Sequence, residues 1–165
     1  MFAAAAVDPG TKLLLLESSP PPVGAVNLLD LGCGYGPIAL TLARRAPEAT
    51  VWAVDVNRRA IELCAANAAA NGLTNVRAVS PELVPHEVRF AGIWSNPPIR
   101  IGKEALHELL LAWLDRLDDD DAHAWLVVQK HLGSDSLARW LEETGWSADR
   151  RVSRGGYRVL DVARR

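Results

Sequence analysis

The stretch "SNPPIR" at residues 95–100 directly follows the apolar run 90–94. Pro97 and Pro98 remove two backbone donors and fix two φ angles, so they end a strand and force Asn96 into an extended conformation. The Asn96 side-chain oxygen and the Pro97 carbonyl oxygen then stand as rigid hydrogen-bond acceptors. Two such acceptors can hold both N–H groups of a planar amine and aim its lone pair. A capped strand-to-helix turn is the structural alternative.

A second unusual loop is "LDLGCGYG" at residues 29–36. Gly32, Gly34 and Gly36 let the backbone approach a ligand without a Cβ in the way. The dinucleotide fingerprint requires a further glycine where this chain has Pro37, and this difference disfavours a pyrophosphate ligand. A tight turn needed only for packing is the alternative.

Two carboxylates accompany the glycine loop. Asp55 ends the next predicted strand, where a carboxylate can accept hydrogen bonds from both ribose hydroxyls of a nucleoside. Asp30 places a second negative charge beside the loop, which attracts an ammonium or sulfonium group and repels a pyrophosphate. These charges indicate S-adenosylmethionine as the cofactor. For Asp30, a role in accepting backbone N–H groups of the loop remains open.

Strands and helices alternate along the chain and must position these loops. The predicted strands are 25–31, 51–54, 76–79, 90–95 and 124–129. The predicted helices are 11–17, 37–45, 102–117 and 134–144, together with one that Asn57 caps and that the left-handed Gly72 ends. Gly155-Gly156 between 151–154 and 157–162 predicts a closing antiparallel hairpin. The alternation predicts a mostly parallel sheet with both unusual loops at the carboxyl ends of its strands.

Taken together, "DLGCGYG" at 30–36, "DVN" at 55–57 and "NPP" at 96–98 resemble class I S-adenosylmethionine-dependent methyltransferases. Through "DPGTKLLL", "SNPPIRIGKE" and "GGYRVL", the chain is most similar to the "methyltransferase small" family, which includes 16S ribosomal RNA guanine-N2 methyltransferases. The similarity covers nearly the whole chain. It implies a Rossmann-like α/β fold: a mostly parallel seven-stranded sheet, an antiparallel C-terminal hairpin, and helices on both faces.

The resemblance also implies site residues. Asn96 is expected to be catalytic, with Pro97 acting through its backbone carbonyl. The expected cofactor-binding residues are Asp30, Gly32, Cys33, Gly34, Gly36, Asp55, Val56, Ser80, Glu82 and Asn96. The expected substrate-binding residues are Pro98, Ile99, Arg100, Lys103 and Lys130.

The chain departs from the family pattern at the position that contacts adenine and at the position after the two prolines. Relatives usually carry an acidic residue that meets the adenine amine, and Ser80 and Glu82 in "VSPEL" are the alternatives here. Many relatives have a stacking aromatic residue where this chain has Ile99, so stacking from that position is excluded. By resemblance, the segment 8–11 is expected to help close the cofactor pocket.

The implied function is methylation of a guanine exocyclic amine (N2) in ribosomal RNA. The same acceptor pair suits any planar amide-like nitrogen, so a protein glutamine amide or a small molecule is an alternative substrate. A non-catalytic module that binds S-adenosylmethionine or RNA is the alternative from another class.

Composition sets the remaining expectations. With 165 residues, 49% hydrophobic and 23% charged, the chain is expected to be one methyltransferase domain, 1–165, with an N-terminal helix and proline-rich connector at 1–24 and a catalytic core at 25–165. Two cysteines without CxxC spacing suggest no metal. The net charge of −2 hides a cluster of arginines at the C-terminus and an acidic run at 118–121. The expected partner is RNA, with no membrane and an undetermined oligomeric state, and the expected location is the cytoplasm.

Overall fold

The computed structural model describes residues 7–119 and 121–165. Within them, the strands are β1 (Asn27–Leu31), β2 (Thr50–Val54), β3 (Val76–Val79), β4 (Gly92–Ser95), β5 (His123–Gln129), β6 (Trp146–Arg154) and β7 (Tyr157–Arg164). The helices are α1 (Pro9–Glu17), α2 (Pro37–Arg45), α3 (Arg58–Ala70), α4 (Lys103–Leu114) and α5 (Ser134–Glu143). None of these helices is long and apolar enough to cross a membrane.

The seven strands form one sheet in the order β3-β2-β1-β4-β5-β7-β6. Strands β1 to β5 pair in parallel, whereas β7 runs antiparallel to both β5 and β6. Gly155 and Gly156 close the β6–β7 hairpin at φ values of 59° and 83°, the left-handed backbone that a two-residue turn demands. The predicted fold class is therefore confirmed, including the reversed hairpin.

Both faces of the sheet are buried. Neighbouring residues of β1, Leu28 and Leu29, are each fully buried but belong to two different core clusters, because successive side chains of a strand point to opposite faces. The Leu28 cluster includes residues of α1, α2 and α3, and the Leu29 cluster includes residues of α4 and α5. This two-sided covering explains the continuous apolar runs of the parallel strands.

The largest differences from the predicted boundaries are at the end of α4 and at the start of β6. Helix α4 ends at Leu114, and the chain beyond it forms a parallel bridge between Leu117 and Phe90. The apolar spacing continues to Leu117 because that side chain enters the same core cluster as α4, although it is no longer helical. Strand β6 begins at Trp146, earlier than predicted. Of the acidic run, Asp120 lies outside the described residues.

Candidate active site

The residues that follow β1, β2 and β4 leave the sheet side by side. In the strand pairing, the last residue of β1 faces the last residue of β2 and the last residue of β4. Gly32, Asp55 and Asn96 come next in the chain, so the three loops begin at one level of the sheet. The Gly32 amide also donates to the Val54 carbonyl at 2.8 Å, which fixes the start of the glycine loop. The prediction that both unusual loops share the carboxyl edge is confirmed.

The three glycines of the loop are required for different structural reasons. Gly32 and Gly34 have φ values of 78° and 55°, and a Cβ on either would meet no described atom closer than 3.9 Å. Their backbone is therefore open to a ligand. Gly36, at φ 103°, is closed in: a Cβ there would lie 2.7 Å from the Cys64 sulfur and 2.9 Å from the Leu40 side chain. Packing against α3 thus accounts for this third glycine.

Asp55 ties the glycine loop to the next helix. Its Oδ2 accepts the Gly34 amide and its Oδ1 accepts the Asn57 amide, both at 2.9 Å. Asn57 in turn caps α3 by accepting the Arg59 amide. Each carboxylate oxygen keeps a further lone pair for a hydroxyl donor. The neighbouring Val56 side chain is 86% exposed and can cover a flat ligand.

These loops enclose a cavity of about 300 Å³, which we call the cofactor-side cavity. It is lined by Leu31, Gly32, Val54, Asp55, Val56, Pro81, Asn96, Pro98, Ile101 and Leu109. Apolar walls with one carboxylate and open glycine backbone are what a nucleoside cofactor requires. The residues present therefore fit S-adenosylmethionine.

Asp30 lies beneath the glycine loop. Its side chain is fully buried, its Oδ2 accepts the Ala39 amide of α2 at 2.9 Å, and its Oδ1 has no hydrogen-bond partner among the described residues. Burial raises the pKa of this carboxyl from 3.8 to about 8, the Ala39 hydrogen bond opposes the rise, and the charge of Asp55 adds to it. Asp30 thus anchors the start of α2, and its direct contact with the cofactor remains a prediction.

The thiol of Cys33 points into the core, so only the backbone of this residue is available to a ligand at the glycine loop. The side chain is buried in the Leu28 cluster, and its thiol donates to the Gly34 carbonyl at 3.5 Å. A hydrogen bond with the Cys64 thiol and burial raise the pKa of the Cys33 thiol far above its usual value. A neutral, buried thiol is chemically inert, so any cofactor contact of Cys33 would come from its main chain.

Ser80 and Glu82 flank the cavity wall at the end of β3. Pro81, between them, is the residue that lines the cofactor-side cavity, as the first residue of a short 3₁₀ turn. Glu82 is exposed, and hydrogen bonds from its own backbone and from the Ser80 side chain lower the pKa of its carboxyl. Proline offers no donor or acceptor side chain, so the adenine contact of Ser80 or Glu82 remains a prediction.

A second cavity of about 320 Å³, the acceptor-side cavity, is also lined by the Asn96 loop. It is lined by Asp8, Asn96, Pro97, Pro98, Ile99, Arg100, Val127, Val128, Gln129, Leu132 and Tyr157. Asn96 and Pro98 belong to the walls of both cavities. A ligand in one cavity would therefore face a ligand in the other across Asn96.

The hydrogen bonds of the Asn96 loop define its acceptors. The Asn96 amide nitrogen Nδ2 donates to Asp8 Oδ2 and to Thr11 Oγ1, each at 3.2 Å. No donor among residues 7–119 and 121–165 is hydrogen-bonded to its Oδ1, which is therefore available as an acceptor. The Pro97 carbonyl accepts the Ile99 amide at 2.9 Å, which uses one of its two lone pairs. The loop can thus offer two oxygens to a planar amine.

The predicted substrate residues fall into two groups. Pro98, Ile99 and Arg100 line the acceptor-side cavity. Lys103 lines a neighbouring cavity on the α5 side, and Lys130 is exposed directly after β5. The predicted set is therefore only partly brought together.

Sequence reasoning missed Tyr157 and Gln129. Both line the acceptor-side cavity, and Gln129 Nε2 donates to the Tyr157 hydroxyl at 3.1 Å. The two residues face each other across the antiparallel β5–β7 pair. The only sequence signal was the position of Tyr157 immediately after the Gly155-Gly156 turn.

The comparisons with known proteins can now be set beside this geometry. The sequence matches the methyltransferase small domain family over residues 1–161. This chain belongs to that family. Its members are S-adenosylmethionine-dependent methyltransferases, and the seven-stranded sheet with a reversed hairpin is their class I fold. The recognition made from the sequence motifs is confirmed.

Two relatives in sequence and one solved structure are similar to this methyltransferase. An uncharacterized protein of Bacillus subtilis, YbxB, is 40% identical over 87% of this chain and 72% of its own. The ribosomal RNA small subunit methyltransferase C of Shewanella sediminis is 34% identical over 90% of this chain and 44% of its own. A solved 16S rRNA N2 methyltransferase of T. thermophilus, in complex with AdoMet and guanosine, has a TM-score of 0.80 at 28% identity, covering 99% of this chain and 45% of its own. This chain thus spans less than half the length of both named ribosomal RNA methyltransferases.

Proposed function

We propose that this methyltransferase transfers a methyl group from S-adenosylmethionine to the exocyclic N2 amine of a guanine in ribosomal RNA. The observation that carries the proposal is the place of Asn96 in the walls of both cavities, from which its side-chain oxygen could accept a hydrogen bond from a substrate beside the cofactor. The T. thermophilus neighbour, solved with guanosine, supports the base, and the Shewanella relative supports the ribosomal RNA.

The cofactor-side cavity assigns the binding roles. The Asp55 carboxylate would hold the ribose hydroxyls, and the open backbone at Gly32 and Gly34 would lie against the rest of the cofactor. When bound, S-adenosylmethionine would supply an electrophilic methyl carbon on a positively charged sulfur, and this carbon–sulfur bond would break as the new N–C bond forms, with neutral S-adenosylhomocysteine as the leaving group.

The Asn96 loop makes the amine reactive. The lone pair of a guanine N2 amine is delocalised into the ring, so the nitrogen is a weak nucleophile until its geometry is fixed. Asn96 Oδ1 and the Pro97 carbonyl would each accept one N–H, which aims the lone pair across Asn96 toward the cofactor-side cavity. The same oxygens stabilise the positive charge that grows on nitrogen as the new bond forms. The surplus proton then leaves to water, because the methylated cation is acidic.

Tyr157 supports a flat acceptor. The position after the two prolines carries Ile99, which cannot stack, but the Tyr157 ring lines the same cavity from β7. An aromatic ring beside an apolar wall of Pro98 and Leu132 is suited to a planar base.

Labelled methyl transfer tests the proposal. S-adenosylmethionine with a tritiated methyl group is incubated with small ribosomal subunits, naked 16S ribosomal RNA and a protein extract, and the modified nucleoside is identified. We expect N2-methylguanosine in RNA, lost at least 100-fold in Asn96→Ala with unchanged cofactor affinity. Asn71→Ala, an exposed asparagine at the end of α3, is the matched control.

Three results would contradict the proposal. Full activity of Asn96→Ala removes the catalytic role of Asn96. Label in a protein glutamine or a small molecule establishes the alternative substrate class. Cofactor binding without any methylated product identifies a non-catalytic module.

A further inference from the structure

The segment before α1 contacts the catalytic loop through two side chains. Asp8 Oδ2 accepts the Thr11 amide at 3.0 Å and the Asn96 Nδ2 at 3.2 Å. Thr11 Oγ1 accepts a second hydrogen bond from Asn96 Nδ2 at 3.2 Å, and Thr11 is only 5% exposed. Asp8 lines the acceptor-side cavity, and the cofactor-side cavity has neither residue in its described wall.

These contacts decide which end of the Asn96 side chain faces the substrate. A terminal carboxamide can turn by half a circle, which exchanges its oxygen acceptor for its nitrogen donor. A carboxylate oxygen accepts and cannot donate, so the Asp8 side of the pocket is compatible only with the nitrogen. The opposite rotamer would turn a donor toward an amine substrate that needs an acceptor.

We propose that Asp8 and Thr11 are positioning residues that lock the Asn96 carboxamide with Oδ1 toward the acceptor amine. This inference rests on the proposed function, in which Asn96 Oδ1 accepts a substrate N–H. The bond to the Asp8 carboxylate also polarises the carboxamide, so Oδ1 carries more negative charge. That polarisation strengthens the acceptor as positive charge develops on the nitrogen.

The pair is held by a well-anchored helix. Asp8 caps α1 through the Thr11 amide, and Pro9 occupies the first helical turn. At the other end of α1, Ser18 Oγ accepts the Trp94 indole N–H at 3.1 Å in the buried sheet. The acceptors therefore stand on a helix that is fixed to β4, the strand that carries Asn96.

Steady-state kinetics with two variants provide the first test. Thr11→Val keeps the shape but removes the acceptor, and Asp8→Asn keeps an oxygen for the Thr11 amide and Asn96 Nδ2 but replaces the charged acceptor with a weaker, neutral one. We expect each variant to lower kcat about tenfold, with acceptor KM and cofactor Kd within about twofold of wild type. Thr11→Ser restores the acceptor oxygen and is expected to recover most of the turnover. Thr144→Val and Asp149→Asn, both on the exposed surface, are the matched controls.

The side-chain ¹⁵N–¹H resonances of Asn96 provide a test without substrate. The wild-type carboxamide protons are expected to be shifted downfield and protected from exchange, and each variant is expected to remove part of this signature. Unchanged Asn96 resonances in both variants would overturn the inference.

The kinetic and spectroscopic results separate the two proposals. Full kcat in Thr11→Val and Asp8→Asn, while Asn96→Ala is inactive, would overturn the positioning role alone. Full activity of Asn96→Ala would overturn the catalytic role of Asn96 and with it the positioning role, whereas a wild-type protein that makes no N2-methylguanosine would overturn the proposed function itself.

Discussion

At the scale of single residues, different side chains of the acceptor-side cavity are suited to hydrogen bonding and to stacking. Asn96 and Tyr157 both line this cavity, and in the proposed function Asn96 would provide the oxygen acceptor and Tyr157 the aromatic surface, from a distant part of the chain. Gly10 explains why the ring can occupy its place, because a Cβ at Gly10 would lie 2.6 Å from two Tyr157 ring carbons. In the proposed function, Tyr157 thus recognises the flat acceptor base, and Asn96 positions its amine for methyl transfer.

Replacing Tyr157 tests this division. Tyr157→Ala is expected to raise the acceptor KM about tenfold, because stacking of a base on an aromatic ring contributes ~1–3 kcal/mol. Tyr157→Phe keeps the ring and is expected to change KM by less than about threefold. Steady-state kinetics with an RNA substrate measure both, and equal KM values for Tyr157→Ala and wild type would exclude stacking.

Asp30 predicts a pH dependence of stability. Its folded-state pKa is raised from 3.8 to about 8, so between these values the unfolded chain releases a proton that the folded chain keeps. The free energy of unfolding should therefore fall as pH rises from about 4 to about 8 and level off above, with a contribution from this group of at most about 6 kcal/mol. Asp30→Asn removes this titration, and urea unfolding across that range should show a shallower slope. Identical slopes would exclude Asp30 as the cause.

At the scale of elements, the strand-loop-helix unit β1-α2 is built around one close approach. Gly36 begins α2 in a left-handed conformation and passes within contact distance of Cys64 in α3. The loop ahead of it remains open at Gly32 and Gly34. One loop therefore combines a packed end with a ligand-facing end.

Alanine substitutions at Gly36 and at Gly24, a positive-φ glycine outside this loop, test the packing role of Gly36. Gly36→Ala combines positive φ with overpacking and is expected to lower the free energy of unfolding by ~2–5 kcal/mol. Gly24→Ala has positive φ and no described atom within 4 Å of its Cβ, so it should lose only ~1 kcal/mol. Urea denaturation measures both variants. Equal losses would show that packing against Cys64 is not the reason for Gly36.

At the scale of the whole molecule, charge is arranged unevenly around a net value of −2. Several C-terminal arginines pair within the protein: Arg154 with Glu17 at 3.0 Å, and both Arg150 and Arg158 with Asp135. By contrast, the exposed cations near the catalytic edge, Arg100, Lys103 and Lys130, form no ion pair with any described residue. The catalytic edge, more than the arginine-rich end, is therefore the expected contact for RNA phosphates.

The salt dependence of RNA binding tests this arrangement. Each phosphate contact contributes about one unit to the slope of log affinity against log salt. We expect Lys103→Ala and Lys130→Ala each to reduce the slope by about one. Arg154→Ala, whose guanidinium is paired with Glu17, is the control and should leave the slope nearly unchanged. A larger effect from Arg154→Ala than from the lysines would place the RNA on the hairpin instead.

The sequence by itself determined the local chemistry and the fold class. Alternating strands and helices specify a parallel sheet. The glycine loop, Asp55 and Asn96 can each be recognised from a few neighbouring residues, because turns and strand ends are encoded locally. Tertiary structure alone decided that Asp8 and Thr11 accept hydrogen bonds from the Asn96 side chain and that Tyr157 lines the same cavity as Asn96. These residues come from the two ends of the chain and meet only because α1 lies against the sheet and β7 enters antiparallel beside β5. Strand order is a long-range property, and periodicity in a sequence does not record it.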